Sequence, residues 1–405
     1  MRNGLRGEGL AVALPSVLCR YHEPIQGPGI ILVAYEVAPT GGMARAAFEL
    51  IPRLLDRGLP VTVVSRTCEL PPQPGLRWIR VPVPGRPASI STPLFFLFGS
   101  LALLRAGRGL RISEGPAVFS RVDAIRVHFC HRGYSDRPTS HQRTRDSAHY
   151  RINAWFASVL GRLWERWCFR PTRVRRLLPV SSGLARELQT YFPAQADRIK
   201  VIPNGVDASR FRPDAEFRAP TRQGLGVGED TMLALFVGGT WEQKGLGFAV
   251  EAIAAVDNWQ LVVLGEGDVD AYRRLAERAG ASRRIHFMGK VEDPAPYYAA
   301  ADAFVFPSRY EAFSLVTLEA AAAGLPLLVT PVSGADDIVR EGENGWFIER
   351  DPATIVPRLR ALAEQPNLRQ RMGQAARASV APFSSERVAD EYASLCRELL
   401  ASTRS

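Results

Sequence analysis

The sequence predicts an α/β protein of two lobes, each built on a doubly wound parallel sheet. Three observations support this fold class. The chain has 405 residues, which is too long for one ordinary domain and long enough for two lobes with separate cores. Short apolar runs alternate with amphipathic stretches, as strands and helices do in parallel-sheet proteins. The alternation starts afresh near residue 232, so we expect a second α/β series there.

The first series is clearest at its two ends. An apolar run leads into the turn Pro-Thr-Gly-Gly at 39–42, and apolar residues then recur at helical spacing over 44–55. Ser182 is expected to cap a helix that runs to Tyr191. The expected strands lie at 30–38, 61–65, 177–180 and 199–202. The stretch 93–176 mixes an apolar run, a His-rich loop and an Arg-rich aromatic helix.

The second series is more regular. Its expected strands lie at 232–237, 260–264, 285–288, 303–306, 327–329 and 346–348. Helices are expected at 244–255 and 269–279. An amphipathic terminal helix is expected from the spacing of Val388, Tyr392, Leu395 and Leu399. The stretch 208–230 is rich in Arg, Pro and Gly, and we expect it to be the interlobe linker.

These patterns divide the chain into regions. We expect an N-terminal lobe at 28–200, a C-terminal lobe at 201–385, and a terminal helix at 386–405 that packs back across the lobes. Residues 1–27 are expected to form a disordered extension rather than a signal peptide, because Pro15 interrupts their apolar stretch and no cleavage signal follows. An early start codon is the other explanation of this stretch.

The composition is that of an ordinary globular protein. Hydrophobic residues make up 46% and charged residues 23%, which excludes extensive disorder. The cysteines number five and have no C-x-x-C spacing, so we expect a reduced, cytoplasmic chain without a disulfide framework. The longest apolar run, 93–104, contains Gly99 and Ser100 and is too short to cross a bilayer, although it is long enough to rest on a membrane surface.

Positive charge is concentrated in one segment. The formal net charge is +10, and the segment 121–176 alone holds 13 arginines against 4 acidic residues. A concentrated positive field attracts nucleic acid, anionic lipid or a phosphorylated substrate. We expect an anionic membrane surface or acceptor rather than nucleic acid, and an Arg-rich solvated surface is the alternative.

The sharpest chemical feature is PSRYEAFSLVTLEAAAAGLP at 307–326. Glu311 lies in a loop that follows a strand, and Glu319 lies in the second turn of a helix that starts near Ser314. Free backbone N–H groups at such a helix start can bind a phosphate. Carboxylates accept hydrogen bonds from sugar hydroxyls. The alternative is two solvated acids beside a helix start.

This E-x7-E segment resembles the donor-binding signature of the retaining glycosyltransferases of family 4, whose GT-B fold has two Rossmann-like lobes facing across a cleft. The resemblance covers about 29–383. Other segments in the family's order are PTGG at 39–42, VSSGLARELQTYF at 180–192, IKVIPNGVD at 199–207, FVGGTWEQKG at 236–245, VLGEG at 263–267, and PVSGADDIV with ENGW at 331–346. It implies transfer of a sugar from a nucleotide-sugar with retention at the anomeric carbon.

The resemblance also implies roles for individual residues. Glu319 would bind the donor ribose, Glu311 would bind hydroxyls of the transferred sugar as a catalytic-site residue, and Lys244 would meet the diphosphate. Lys244 is one of only three lysines, and a cation at a helix start opposes the helix dipole, so this position calls for a reason beyond solvation. The remaining donor-binding positions implied are Gly41, Gly42, Gly239, Val291, Phe313, Ser314 and Leu315.

Two positions depart from the family pattern. Gly239 stands where the family usually has Arg, so one phosphate contact is unaccounted for, and Arg309 is a candidate replacement. Ala312 stands where Gly is common, and we expect it to tighten the loop beside the sugar and narrow the choice of donor.

A His-rich stretch lies where the family places a catalytic His or Asp. On a strand, residues three apart face opposite sides, so His128 and His131 are not expected to share one role. We expect His131, at the strand end, to be catalytic, and His128 to be largely structural, with His128 and Arg132 as weaker acceptor-binding candidates. Zinc binding by His128, Cys130 and His131 is an alternative, but no further ligand pair lies nearby.

No metal site is expected elsewhere. Asp268 and Asp270 have the D-x-D spacing of metal sites in the other large glycosyltransferase fold. They immediately precede a helix, so capping and the helix dipole explain them more simply. We therefore expect metal-independent chemistry.

The resemblance thus implies a retaining hexosyltransferase that uses a nucleotide-sugar, with UDP-sugar favoured, as substrate and needs no cofactor. The expected acceptor is a cell-envelope glycan, such as lipopolysaccharide, or a lipid-linked glycan at the inner membrane face. A dinucleotide-dependent oxidoreductase would need G-x-G-x-x-G after the first strand, which the turn at 39–42 does not supply. A catalytically silent anionic-lipid or nucleic-acid-binding protein of the same fold would use the basic segment but would not need Glu311, Glu319 and Lys244.

Overall fold

The computed structural model describes residues 19–20, 29–85, 87–136 and 148–402. It confirms two α/β lobes with parallel sheets. The expected extension at 1–27 lies outside the described residues, except for a two-residue strand at Cys19–Arg20 that pairs antiparallel with the edge of the first sheet. No helix in the described part of the chain has the length and apolar character needed to cross a membrane.

The N-terminal lobe has a seven-stranded sheet. The strands of this sheet are β1 (Cys19–Arg20), β2 (Gly29–Val33), β4 (Val61–Ser65), β6 (Leu76–Arg80), β7 (Gly109–Glu114), β8 (Val122–Val127) and β9 (Val174–Pro179). Two further strands, β3 (Glu36–Val37) and β5 (Thr67–Cys68), form a small separate sheet. The order is β1-β6-β4-β2-β7-β8-β9. Its helices are α1 (Gly42–Asp56), α2 (Ala88–Arg105), α3 (His131–Ser135), α4 (Ala148–Cys168) and α5 (Ser182–Tyr191), followed by a 3-10 turn at Pro193–Arg198.

The C-terminal lobe has a six-stranded, all-parallel sheet. Its strands are β10 (Met232–Val237), β11 (Trp259–Leu264), β12 (Ile285–Gly289), β13 (Ala303–Phe306), β14 (Leu327–Val329) and β15 (Gly345–Phe347), in the order β12-β11-β10-β13-β14-β15. Its helices are α6 (Ala215–Leu225), α7 (Trp241–Lys244), α8 (Leu246–Ala254), α9 (Val269–Arg278), α10 (Ala295–Ala300), α11 (Leu315–Ala322), α12 (Ala335–Ile338), α13 (Pro352–Glu364) and α14 (Pro366–Ser379). Two 3-10 turns lie at Ser282–Arg284 and Ala381–Phe383.

The central strands are continuous apolar runs because helices cover both faces of a parallel sheet. Every residue of β2 and β4 is buried, as is nearly every residue of β10 and β11. The bounds that the sequence predicts for these strands therefore lie close to the observed ones.

The last helix, α15 (Ser385–Ala401), packs on the N-terminal lobe although it follows the C-terminal one. Its buried face joins the core around α1 through Val388, Tyr392, Leu395 and Leu399. At the surface, Arg57 holds it by ion pairs of 2.7 Å to Asp390 and 2.8 Å to Glu386. The end of the chain thus crosses back from one lobe to the other.

Several expected boundaries were wrong. Residues 199–202 form no regular strand. They run beside β9 through a single bridge between Leu177 and Ile199 and through hydrogen bonds from Lys200 and Ile202, and Pro203 lacks the N–H that would extend the pairing. The expected strand at 30–38 ends at Val33 and resumes as the separate β3. The cap of α5 is Ser181 rather than Ser182, since the Ser181 hydroxyl accepts from the Leu184 N–H at 3.1 Å.

The expected linker at 208–230 contains α6, which is fixed to the C-terminal lobe. Arg222 is buried and donates to the carbonyl oxygens of Ala300 and Gly228, and it forms an ion pair of 3.2 Å with Asp302. These bonds make α6 part of the lobe and not a flexible connection.

The expected helix at 244–255 is broken into α7 and α8 at Gly245. This glycine has a φ of +80°, and a Cβ there would lie 2.2 Å from the carbonyl oxygen of Pro307. Only glycine therefore allows the chain to turn so close to the loop after β13.

Candidate active site

The candidate site lies where the carboxyl ends of the two sheets face each other, which is where α/β proteins bind their ligands. From the N-terminal lobe come the turn 39–42, Glu114 at the end of β7 and His128 after β8. From the C-terminal lobe come the loops after β10 and β13. The two edges touch, since the Cys130 N–H donates to the Tyr310 hydroxyl at 3.2 Å and the Ser181 hydroxyl donates to the Ala312 carbonyl at 2.5 Å.

Glu319 lies on α11 and is almost completely buried, with 2% of its surface exposed. Its Oε2 accepts a hydrogen bond of 2.7 Å from the Tyr298 hydroxyl. Its Oε1 lies 2.5 Å from Nη1 of Arg45, which reaches it from α1 of the opposite lobe. Burial raises the pKa of the Glu319 carboxyl, and Arg45 and Tyr298 oppose that rise. The carboxylate thus has one oxygen anchored in its own lobe and one directed across the cleft.

Glu311, in the loop after β13, forms an ion pair with Lys244, the last residue of α7. The Ser308 hydroxyl donates to the same Glu311 oxygen at 2.8 Å. Both charged side chains are largely buried, with 12% and 20% exposed. Arg350 fixes the end of α7 by donating to the carbonyl oxygens of Gln243 at 2.8 Å and Pro307 at 2.9 Å.

Backbone strain is concentrated at this edge. Among the described residues, the two non-glycine residues with positive φ are Thr240 at +51° and Ser314 at +64°. Thr240 directly precedes α7 and Ser314 directly precedes α11. The Ser314 hydroxyl bonds to the Thr317 hydroxyl at 2.6 Å, which helps to hold the conformation. Strained residues of this kind cluster at functional sites, because the surrounding structure must hold them.

The other expected donor-side positions of this lobe lie in or directly after the loops at the carboxyl end of the second sheet. Gly239 lies in the loop between β10 and α7, where a Cβ would make only an ordinary contact of 3.6 Å with the Glu266 carbonyl. Leu315 is the first residue of α11, and Phe313 is buried with its carbonyl against Gly334. Val291 is half-buried in the loop after β12.

On the N-terminal side, Gly41 has a φ of +88° and caps α1, while a Cβ on Gly42 would meet no atom within 4 Å. The Gly42 backbone therefore borders open space. Ala312 has no positive φ, so alanine fits there without strain. Arg309 places its guanidinium over the Tyr134 ring, 5.0 Å from the centroid, and bonds to the Tyr134 hydroxyl.

The two histidines have different surroundings. The ring of His131 packs on α4, where a Cβ on Gly161 would lie 2.5 Å from its Cε1. Its backbone N–H donates to Glu165 at 2.6 Å. Burial, with Arg162 nearby, lowers the pKa of His131 to about 4. His131 is therefore a partly buried, neutral ring that lies between α4 and Phe129, whose ring centroid is 4.8 Å away.

His128 is bonded to a buried charged network. Its Nε2 lies 2.5 Å from Oε2 of Glu114, and burial lowers the pKa of His128. Burial would raise the pKa of Glu114, but Arg126 and His128 bring it below its usual value. Arg126 donates to Asn204 at 2.7 Å. Arg126, Asn204 and Leu315 line one interlobe cavity, so this network reaches the start of α11.

Arg132 lies away from this network. Its guanidinium stacks on Phe192, 5.9 Å from the ring centroid, at the end of α5. Within the ranges that the structure describes, no group of three or more His, Cys, Asp or Glu side chains could hold a metal ion. The Asp268 side chain caps α9 by accepting from the Ala271 N–H at 3.0 Å, as expected.

The sequence reasoning missed Arg45, Tyr298 and Glu114. Arg45 lies in the first turn of α1, where a cation opposes the helix dipole. The same argument singled out Lys244, but the helix start expected there was wrong, because Lys244 is the last residue of α7. Applied to α1, the argument could have identified Arg45. Tyr298 and Glu114 gave no comparable signal, because each becomes part of the site only through tertiary contacts.

Two family models match the chain, and together they span most of it. Residues 40–210 match the model described as Glycosyltransferase Family 4, and residues 217–379 match the model described as Glycosyl transferases group 1. A D-inositol 3-phosphate glycosyltransferase of Geodermatophilus obscurus is 34% identical over 250 residues, which cover 56% of this chain and 54% of the relative. The chain thus spans about half the length of the curated relatives it matches.

Solved structures resemble nearly the whole chain. WaaG, a glycosyltransferase involved in lipopolysaccharide biosynthesis, superimposes with a TM-score of 0.74 at 22% identity, covering 91% of this chain and 99% of its own. HepE of Anabaena, solved in complex with UDP-glucose, gives a TM-score of 0.67 at 17% identity, covering 92% and 99%. These likenesses show that the fold is GT-B. Together with the family models, they show that the chain belongs to the family 4, or group 1, glycosyltransferases.

Proposed function

We propose that the protein is a retaining glycosyltransferase that moves a sugar from a nucleotide-sugar to an acceptor hydroxyl. The observation that carries this proposal is the placement of two largely buried carboxylates, Glu311 and Glu319, at the carboxyl end of β13 opposite the N-terminal lobe. Buried carboxylates are retained where hydrogen bonds or charges compensate their desolvation. Sugar and ribose hydroxyls supply such hydrogen bonds.

The donor ribose is proposed to bind Glu319. Tyr298 fixes the carboxylate, and the oxygen that now faces Arg45 is the one that ribose hydroxyls would reach from the cleft. In a site of low dielectric, a hydroxyl bonded to a carboxylate is held more strongly than in water.

The diphosphate is proposed to lie between Lys244 and the start of α11. The backbone N–H groups of Phe313, Ser314 and Leu315 precede the first hydrogen-bonded turn of this helix and can donate hydrogen bonds to an anion. Lys244 and these groups would stabilise the negative charge that grows on the leaving nucleotide. We propose that no metal ion is needed for this step.

Glu311 is proposed to orient the transferred sugar and not to act as a nucleophile. Lys244 and Ser308 both bind the same Glu311 oxygen, which favours a fixed acceptor of hydrogen bonds from sugar hydroxyls. The configuration at the anomeric carbon would then be retained because the acceptor hydroxyl attacks from the same face that the nucleotide leaves, assisted by the departing phosphate. Closure of the lobes over the donor would exclude water and limit hydrolysis.

On the acceptor side, we move the catalytic proposal from His131 to His128. The His128 and Glu114 pair belongs to the network that reaches the interlobe cavity, whereas the His131 ring is packed against α4. His128 would position the acceptor hydroxyl or receive its proton during transfer.

UDP-sugar is the proposed donor class, because HepE, a structural neighbour, was solved with UDP-glucose. The proposed acceptor is a cell-envelope glycan or lipid-linked molecule at the cytoplasmic face of the membrane. WaaG supports this class, since it is involved in lipopolysaccharide biosynthesis, whereas the name of one relative gives D-inositol 3-phosphate as a different acceptor. The basic segment 121–176, of which 137–147 lie outside the described residues, would attract an anionic acceptor or membrane.

Thermal unfolding with UDP, GDP, ADP and their sugars tests this proposal. A ligand that binds only the folded state raises its stability, by about 2.7 kcal/mol at a hundredfold excess over Kd. We expect one nucleotide to stabilise the protein with EDTA present, and Glu319→Gln to abolish the effect. Glu277→Gln, at an exposed carboxylate of the same lobe, is the control. No stabilisation by any nucleotide would contradict the proposal and favour a catalytically silent lipid-binding protein.

A further inference from the structure

Exposed large apolar side chains are concentrated on one side of the N-terminal lobe. Of the ten among the described residues, seven belong to α2, to the loop after β7 and to α4. Five of these lie on α2 and form what we call the α2 ridge: Ile90, Leu97, Phe98, Leu101 and Leu104, which are 39–66% exposed. A soluble surface does not usually group large apolar side chains in this way.

The ridge is a continuous feature. Leu97, Leu101 and Leu104 are spaced by four and three residues, so they follow one another along one face of the helix. Ile90 extends this face by two turns, which gives a ridge roughly 20 Å long.

Aromatic contacts join α2 to its neighbours, so the ridge continues onto them. The ring of Phe96 stacks on Trp164 of α4 with centroids 4.1 Å apart, and it meets Phe119 edge to face at 5.2 Å. These two neighbouring elements carry further exposed apolar side chains, Phe119 and Leu163, which are 41% and 56% exposed.

Arginines predominate in the segments that form this surface. The described stretches 87–123 and 158–176 hold ten arginines and three carboxylates, Glu114, Asp123 and Glu165. Glu114 and Glu165 are buried, with 3% and 0% of their surface exposed, and Asp123 pairs with Arg175 at 3.3 Å. Arg170 and Arg173 stack on Trp167 at 4.8 Å and 4.3 Å, and Arg173 also donates to the Phe119 carbonyl at 3.1 Å.

We propose that the α2 ridge rests on an anionic lipid bilayer, with its apolar side chains among the headgroups and the surrounding arginines on lipid phosphates. A helix that presents an apolar face beside cationic groups binds in the plane of such an interface. A second copy of the chain fits less well, because a symmetric contact would bring two arginine-rich surfaces together. The inference rests on the proposed function, since a lipid-linked or membrane-bound acceptor requires the enzyme at that surface.

Vesicle flotation tests this inference directly. The full chain is mixed with vesicles of phosphatidylcholine, with and without phosphatidylglycerol. We expect binding to the anionic vesicles that weakens as salt is raised. Leu101→Glu combined with Leu104→Glu should weaken that binding by roughly tenfold or more, because carboxylates would then face the lipid phosphates. Phe217→Glu combined with Met288→Glu, at exposed apolar positions of the C-terminal lobe, is the matched control and should bind like the parent.

Three outcomes would overturn the inference. Anionic vesicles that fail to bind the parent would refute it, and so would equal losses in the ridge and control variants. A concentration-dependent dimer in light scattering that the ridge variant abolishes would assign the surface to a second copy. UDP-induced stabilisation, measured on the same variants, tests the proposed function separately, because the α2 ridge contains none of the donor-site residues.

Discussion

Arg45 and Glu319 form an ion pair of 2.5 Å that joins the first helix of the N-terminal lobe to the carboxylate at which we propose the donor ribose binds. The side chains of Arg45 and Glu319 are 18% and 3% exposed, so the pair is shielded from solvent. Arg45 also bonds to Glu49 at 2.8 Å on its own helix. It therefore has an alternative partner when ribose hydroxyls displace it from Glu319.

Replacing Arg45 tests whether ribose hydroxyls displace this side chain from Glu319. Arg45→Gln leaves the buried Glu319 without its cation, so we expect the free energy of unfolding without nucleotide to fall by about 3 kcal/mol. UDP should then stabilise the variant more than the parent, since ribose hydroxyls replace the lost donor and no ion pair has to open. Urea unfolding with and without saturating UDP measures both effects.

The matched control for this experiment is Arg53→Gln. Arg53 lies on the same helix but pairs with the exposed Glu386, so the loss should stay below about 1 kcal/mol and should not depend on UDP. If UDP stabilised Arg45→Gln less than the parent, Arg45 would be a contact of the donor and not its competitor.

Removing the Lys244 cation should weaken the binding of a nucleoside diphosphate but not the binding of the nucleoside. Lys244→Met removes the cation proposed to meet the phosphates, and a charge-assisted hydrogen bond of this kind contributes about 2–3 kcal/mol. We expect UDP to bind roughly a hundredfold more weakly while uridine binds as before, as measured by calorimetry. Lys290→Met, at an exposed lysine, is the control. An equal loss for uridine would show that Lys244 acts by holding Glu311 in place and not by binding phosphate.

The C-terminal lobe could be predicted from the sequence almost strand by strand, whereas 93–176 could not. The reason lies in β7 and β8, which place Glu114 and Arg126 inside the protein. Apolar periodicity identifies strands only when buried positions are apolar. These two charges compensate each other across neighbouring strands, and that pairing depends on the fold.

The candidate site was predictable to the extent that it lies in one segment. Glu311 and Glu319 share the loop and helix after β13, so their spacing was informative. Arg45 and Tyr298 come from other parts of the chain and reach Glu319 only through packing. The preference for His131 over His128 was based on position along a strand, but His131 begins α3, where strand alternation does not apply.

Variants of His128 and His131 should differ in catalytic activity. His128→Asn removes the group paired with Glu114, and we expect kcat to fall by roughly a hundredfold while UDP-induced stabilisation is retained. His131→Asn alters a ring packed on Gly161, so we expect lower stability with kcat within a few-fold of the parent. Initial rates and thermal unfolding of both variants provide the measurement, and the opposite assignment would restore His131 as the catalytic residue.

Glu165 should control how stability depends on pH. Burial raises the pKa of Glu165 to about 7, so between its unfolded value near 4.5 and pH 7 the folded protein binds more protons than the unfolded chain. Its contribution therefore becomes more destabilising as pH rises through this window and is constant above it. His131 has the opposite effect between pH 4 and 6.5, because its lowered pKa means that the unfolded chain binds the extra proton there.

Glu165→Gln should separate these opposing effects. Relative to the parent, its free energy of unfolding should rise by about 3 kcal/mol between pH 4.5 and 8, which is the linkage energy of the Glu165 shift. Without the opposing contribution of Glu165, the variant should also show more of the increase in stability from pH 4 to 6.5 to which His131 contributes. Urea unfolding at half-unit pH steps measures both slopes, with Glu277→Gln as the exposed control. A difference between variant and parent that does not change with pH would show that Glu165 is not protonated in the folded protein near neutral pH.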